Sequence, residues 1–230
     1  MFAHQIGRNV QVYVDNMLVK SRREDDHLEN LKETFDTLRS YNMKLNPSKC
    51  AFGVTARKFL GFMVSQRGID VNLDKIWAIM EMTPPRNIKE LQCLNSKVAV
   101  LNRFISRAMD KCLPFFCTLK NSFKWTAECQ QVFENLKVYF SYPPLLSLSK
   151  LGEELFLYLA VSSAAVSAAL VREKDRVQKL VYYTSRALRR AEERYPPMEK
   201  LVFALVTATR KLKPYFQAHT VVVLTDKPLR

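Results

Sequence analysis

Residues 155–171 read "LFLYLAVSSAAVSAALV", seventeen positions without a charge, and what they form decides the class of the chain. As one helix they would be a membrane-span candidate, but a span needs about 20 predominantly apolar residues. This run falls short, and Ser162, Ser163 and Ser167 interrupt it. Two buried strands joined at the serines fit better. Strands are then predicted at Leu155–Val161, Ala165–Arg172 and Val177–Ser185, followed by a helix from Pro197 to Tyr215 and a returning strand at Val221–Thr225. Three strands, a helix and a strand describe an α/β domain over residues 143–230.

Two proline pairs divide what lies upstream. Between Pro84-Pro85 and Pro143-Pro144 the apolar period is helical. Leu91, Leu94, Val98, Leu101 and Ile105 form one stripe behind an Asn87/Glu90 N-terminal signature, and Cys129, Val132, Phe133, Leu136 and Phe140 form another behind Thr126. Residues 79–142 therefore read as a helical region. Before them, "VQVYVDNMLVK" (10–20) sets two short apolar runs around an Asp-Asn pair, the pattern of a tight hairpin with its turn at Asp15-Asn16. An amphipathic helix follows, with Leu28, Leu31, Phe35 and Leu38 at helical spacing and Asp26 and Glu29 able to form a capping box. "ARKFLGFMVSQRGIDV" (56–71) then reads as two strands around a turn at Gln66–Gly68. This β-α-β-β order closes a first unit, 1–78, and makes the chain α+β.

Composition narrows the function classes. With 230 residues and 48% hydrophobic content the chain can bury a sizeable core and is not disordered. Its 36 Lys and Arg against 22 Asp and Glu give a formal net charge of +14. The excess is spread as +3, +4 and +7 over residues 1–78, 79–142 and 143–230, which suits a broad polyanion surface, most simply nucleic acid. Five scattered cysteines without a C-x-x-C pair read as reduced thiols of an intracellular protein. His4, His27 and His219 are too few and too far apart for a zinc site. No targeting signal is recognisable, and no membrane partner is expected.

The ordered motifs "YVDN", "HLENLKETFDTLRSYNMKLNPSKCAF", "KFLGFMVSQRGI", "LNRFISRAMDKCLPFF" and "FKWTAECQQVFENLK" resemble the polyprotein of gypsy-type LTR retrotransposons, closest to plant elements. The resemblance covers nearly the whole chain. It implies a reverse transcriptase palm segment with a primer-grip-like hairpin (1–78), a thumb and connection region (79–142) and an RNase H-like domain cut short at its C-terminus (143–230). It also implies two-metal phosphoryl transfer, in which carboxylates hold two Mg²⁺ ions and act on RNA, DNA and their hybrid.

Carried over residue by residue, the resemblance predicts depleted centres. Asp15 matches a metal-binding aspartate of the polymerase hairpin, but Asn16 stands where a second Asp is expected, and residues 1–14 hold no Asp or Glu. An amide brings a carbonyl oxygen but no charge to a hard cation. In the RNase H-like domain Glu199 and Asp226 match family ligands, whereas Ala160 stands in the place of the central Asp. Lys49, Lys58 and Arg67 are the candidate phosphate contacts. Catalysis by this chain is not expected, nor productive Mg²⁺ binding; weak association with RNA–DNA hybrid or duplex is. Two other readings stay open: a non-catalytic nucleic-acid-binding module, and one piece of a larger active polyprotein. Oligomeric state is undecided.

Overall fold

The computed structural model describes residues 1–14, 16–21, 23–54, 56–59, 62–65, 67–120, 123–150, 152–225 and 227. The chain divides into two compact units, Met1–Gly61 and Phe62–Arg230. The boundary drawn at residue 78 from sequence falls inside the second unit.

In the first unit β1 (Val10–Tyr13) and β2 (Asn16–Val19) pair antiparallel, with Tyr13 opposite Asn16. The turn is thus one residue earlier than the Asp-Asn pair suggests. Asn16 opens β2, and Val14 takes the left-handed conformation (φ 51°), which β-branched residues ordinarily avoid. Helix α1 (Asp26–Ser40) buries Leu38 against Phe2 and Val10, with Phe35, Met17 and Val19 at the margin. Leu28, placed on the apolar stripe by its spacing, is 78% exposed. The buried face turns instead toward a polar network: Asn9 Nδ2 donates to Asn30 Oδ1 (2.8 Å) and Glu33 Oε2 (3.0 Å), and Arg8 pairs with Glu33. The expected capping box is also absent. Asp25 holds the N-cap position in helical geometry (φ −60°, ψ −37°), with no side-chain cap bond, whereas a capping side chain needs extended backbone there. Strand β3 (Ala56–Phe59) ends this unit.

The second unit opens with a hairpin of β4 (Phe62–Ser65) and β5 (Gly68–Asp70), antiparallel with Ser65 opposite Gly68. Its far side is stitched to residue 146: Ile69 N–H donates to the Leu146 carbonyl (2.8 Å) and Leu146 N–H to that of Ile69 (3.1 Å). A Cβ on Gly68 (φ 149°) would lie 2.1 Å from the Leu146 carbonyl oxygen, so only glycine allows this approach. Behind the hairpin, α2 (Leu73–Met80), α3 (Ile88–Val100), α4 (Ala108–Lys111), α5 (Leu113–Lys120) and α6 (Ala127–Ser141) enclose one core. The two stripes read from sequence line it, with Leu91, Leu94, Leu101, Ile105, Phe133 and Phe140 no more than 1% exposed. Both caps form: Asn87 Oδ1 accepts from Glu90 N–H (2.9 Å) and Thr126 Oγ1 from Cys129 N–H (3.2 Å).

The uncharged run is two strands. β6 (Leu155–Val161), β7 (Ala165–Lys174), β8 (Val177–Ala187) and β9 (Val221–Leu224) form a sheet ordered β8-β7-β6-β9, antiparallel except for the parallel β6–β9 pair. Among the described residues no helix is long and apolar enough to cross a membrane. The helix predicted to Tyr215 divides into α7 (Pro197–Lys211) and α8 (Lys213–Ala218). Pro214 lacks the amide needed to continue the first. Leu155, Leu157 and Leu170 pack with Ala208 and Leu212, so α7 and α8 cover one face.

Two outcomes follow. Gly68→Ala should destabilise the second unit by about 1–3 kcal/mol, the cost of forcing a side chain into occupied space, read by denaturant titration. Glu33 gives a pH dependence in the first unit. Burial opposes its ionisation, but hydrogen bonds from Asn9, Arg8 and Gln5 and the Arg8 charge outweigh that and hold its carboxyl below the usual range. Its contribution is therefore complete above the unfolded glutamate pKa of about 4.3 and is lost as pH falls through the lower folded value. Glu33→Gln should flatten that part of the stability profile.

Candidate functional site

The residues singled out by sequence lie in both units. In the first, Asn16 is exposed at the start of β2, and Asp15 lies outside the described residues. Lys49 is exposed at the end of a short 3₁₀ turn, Pro47–Lys49, which Asn46 caps through Ser48 N–H (3.1 Å). The Lys58 side chain lies outside the described residues. In the second unit Arg67 is exposed at the β4–β5 turn.

The sheet end is the most fully built part. Period-two alternation sends Leu155, Leu157 and Leu159 toward the helices and leaves Phe156, Tyr158 and Ala160 on the opposite face. Half-buried Ala160 pairs with Ser167 of β7, and Ser167 with Ser185 of β8. The two hydroxyls are 2.8 Å apart, and Ser185 Oγ accepts the Met109 amide of α4 (3.1 Å). Where the resemblance implies a central carboxylate, the row is neutral and its hydroxyls are engaged.

Glu199 sits exposed in the first turn of α7, where the helix dipole favours a carboxylate. Its neighbour Lys200 is buried and donates from Nζ to the Ser163 carbonyl (3.2 Å). That bond fixes the start of α7 at the β6–β7 turn. The turn is itself ordered by Ser162, whose hydroxyl oxygen accepts from Ala165 N–H (2.9 Å) and donates to Asp110 of α4. Asp110 also pairs with Arg107 (3.1 Å). Asp226, two positions beyond β9, lies outside the described residues. Among the described residues no group of three or more His, Cys, Asp or Glu is placed to hold a metal ion. Lys200 and Asp110 were not singled out from sequence. Only a buried lysine beside Glu199 could have signalled the first, and nothing local signals the second, which lies 52 residues from its partner.

A β-hairpin unit, a helical core and a β8-β7-β6-β9 sheet covered by α7 define a reverse transcriptase fold followed by an RNase H-like domain. Residues 1–64 match the reverse transcriptase (RNA-dependent DNA polymerase) family, and residues 125–223 match the RNase H-like domain found in reverse transcriptase. The foamy viral protease-reverse transcriptase in complex with RNA/DNA hybrid superposes with a TM-score of 0.80 at 22% identity, over 93% of this chain and 30% of that one. Its dRH form in complex with ds DNA also gives 0.80 at 22%, over 96% and 41%. The chain is similar to retrotransposon polyproteins: the Transposon Tf2-7 polyprotein of Schizosaccharomyces pombe is 27% identical over 214 residues, and Tf2-3 of the same yeast is 26% identical. These alignments take in 91% of this chain but 16% of each polyprotein, so the chain spans about a sixth of its relatives' length.

Lys200→Met keeps the aliphatic stem and removes the bond to Ser163. A hydrogen bond to a charged group contributes about 1.5–3 kcal/mol. Thermal unfolding of the second unit should fall accordingly, and amide exchange at residues 161–165 should quicken.

Proposed function

We propose that this chain is the palm (1–78), thumb and connection (79–142) and RNase H-like (143–230) portion of a gypsy-type LTR retrotransposon polyprotein, closest in its motifs to plant elements. It binds RNA–DNA hybrid or duplex weakly and without catalysis. The observation that carries the second clause is the neutral row Ala160–Ser167–Ser185, closed by the Met109 amide. Two-metal cleavage needs carboxylates that hold both ions. This row offers none, so Mg²⁺ does not fit here, and no step is routed through it. At the polymerase hairpin Asn16 weakens the same chemistry by removing a charge. Association with polyanions is supported by the +14 charge, by exposed Lys49 and Arg67, and by the hybrid and duplex held by the two foamy viral enzymes.

Cleavage of an RNA–DNA hybrid by the purified chain should be undetectable in Mg²⁺ or Mn²⁺, and primer extension should stay at background. Ala160→Asp adds one carboxylate to a row with no balancing charge, so at most a trace of activity is expected. Hybrid cleavage by the unsubstituted chain that Glu199→Gln abolishes would overturn this reading. Binding followed by fluorescence anisotropy should weaken with salt, each neutralised phosphate contributing roughly −0.9 to the slope of log K against log salt on B-DNA. A second reading rests on the 16% coverage of the Tf2 relatives: the chain is one piece of a longer active polyprotein. An uninterrupted genomic frame encoding fingers upstream and integrase downstream would favour it.

A further inference from the structure

A cavity of about 310 Å³ opens between α4 and α6, lined by Lys111, Cys112, Val132, Asn135, Leu136 and Tyr139. That is near the small end of the roughly 300–1,000 Å³ range of ligand pockets, room for a fused-ring molecule. Its lining is chemically one-sided. The Tyr139 hydroxyl is engaged, donating to the Phe104 carbonyl (2.6 Å). Burial pushes the Cys112 thiol up to about 12, so it stays neutral. Asn135 Oδ1 accepts from Gln131 Nε2 (3.1 Å), which turns its amide NH₂ to donor use. The one formal charge in the lining is the Lys111 ammonium, 4.7 Å from the Tyr139 ring centre and 3.1 Å from Ser106 Oγ.

No carboxylate lies within ion-pair distance of Lys111 among the described residues. The adjacent Asp110 is taken by Arg107 and Ser162. Burial of the amine lowers the Lys111 pKa, and the Arg107 charge adds to the effect. An anion in the cavity would relieve both, and the apolar walls would desolvate a flat hydrocarbon body. We propose that this cavity is a binding site for a small aromatic monocarboxylate, its anion on Lys111 and the Asn135 NH₂ and its rings against Val132 and Leu136. A second cavity of about 520 Å³ shares Lys111 and Val132 and is lined also by Lys124 and by the carboxylates Asp110 and Glu128, so a ring substituent reaching into it would be neutral or cationic.

The test uses naphthoate and its neutral counterpart naphthamide as probes of the full chain, with affinities from isothermal titration and the site from amide chemical shifts. Naphthoate should bind saturably, shift amides of α4 and α6, and bind more tightly than naphthamide. Lys111→Met should weaken naphthoate about five-fold, the scale of a partly exposed charge pair, and leave naphthamide unchanged, while Lys111→Arg should recover most of the loss. Val132→Trp, at a half-buried position on the cavity wall, should fill the cavity and abolish binding of both probes. Equal affinity for the two probes, indifference to Lys111→Met, shifts confined to other elements, or no saturation at millimolar naphthoate would each overturn the assignment. Folding of every variant is checked by circular dichroism. Should one fail to fold, displacement of naphthoate from the unsubstituted chain by naphthamide, and the ratio of their affinities, decide the matter.

Discussion

The second unit depends on where it puts one cation. Arg103, just past α3, sets its guanidinium 4.7 Å from the Phe62 ring and 4.5 Å from the Tyr182 ring, with Phe104 at 5.8 Å. Phe62 belongs to the β4–β5 hairpin and Tyr182 to β8, so one side chain touches the hairpin, the helical core and the C-terminal sheet at once, beside the Ile69–Leu146 and Met109–Ser185 bonds that also join them. Guanidinium is weakly hydrated and planar, which lets it lie between rings at a smaller desolvation cost than an ammonium. Tyr215 of α8 completes the cage, edge-on to Tyr182 at 6.3 Å. Burial raises the Tyr215 pKa and the Arg103 charge partly offsets it, so the phenol stays neutral beside the cation.

Fastening the hairpin and the sheet to the same core explains which parts were legible in the sequence. Long elements with one buried face were: the strand at 155–161 matches residue for residue, and the stripes of α3 and α6 are buried as their spacing requires. Short helices were not. α2 and α5 have eight residues each and α4 has four, too few turns for a period to stand out. In the first unit the stripe misplaced Leu28 because α1 shares its packing between the apolar contacts of Leu38 and the polar network of Asn9, Asn30 and Glu33. The hairpin turn was misjudged by one position because Val14, not Asn16, accepts the strained conformation.

The candidate site divides along the same line. Ala160 could be singled out because a resemblance supplies the residue expected there, and the register pairs it with Ser167. The contacts around it could not, because Ser162–Asp110 and Ser185–Met109 are tertiary contacts between segments 52 and 76 residues apart. Their physics is nonetheless simple. A carboxylate in a half-buried row demands a cation or several donors, whereas a pair of hydroxyls can satisfy each other and one backbone amide. With an alanine at position 160 the row itself carries no charge, and the Met109 amide of α4 can close on the Ser185 hydroxyl.

The same accounting bears on the polyanion surface. Lys97 and Lys137 donate to the Ala78 and Met82 carbonyls (both 2.7 Å), Lys200 to Ser163, Arg172 to Leu148 and Glu153, and Arg186 to Glu192. With the caged Arg103, these side chains are tied into the fold and have little freedom to meet a phosphate. Their field still reaches outward over a Debye length of about 10 Å at 0.1 M salt, so they contribute to attraction at a distance. Close contact falls instead to exposed groups such as Arg67, Arg176, Lys179 and Arg190. For the proposed association with nucleic acid, the net charge of +14 would govern how fast the polyanion is drawn in, and the smaller exposed set how many counterions are released on arrival. The two quantities separate because the basic side chains that hold this fold together are the ones least able to leave it.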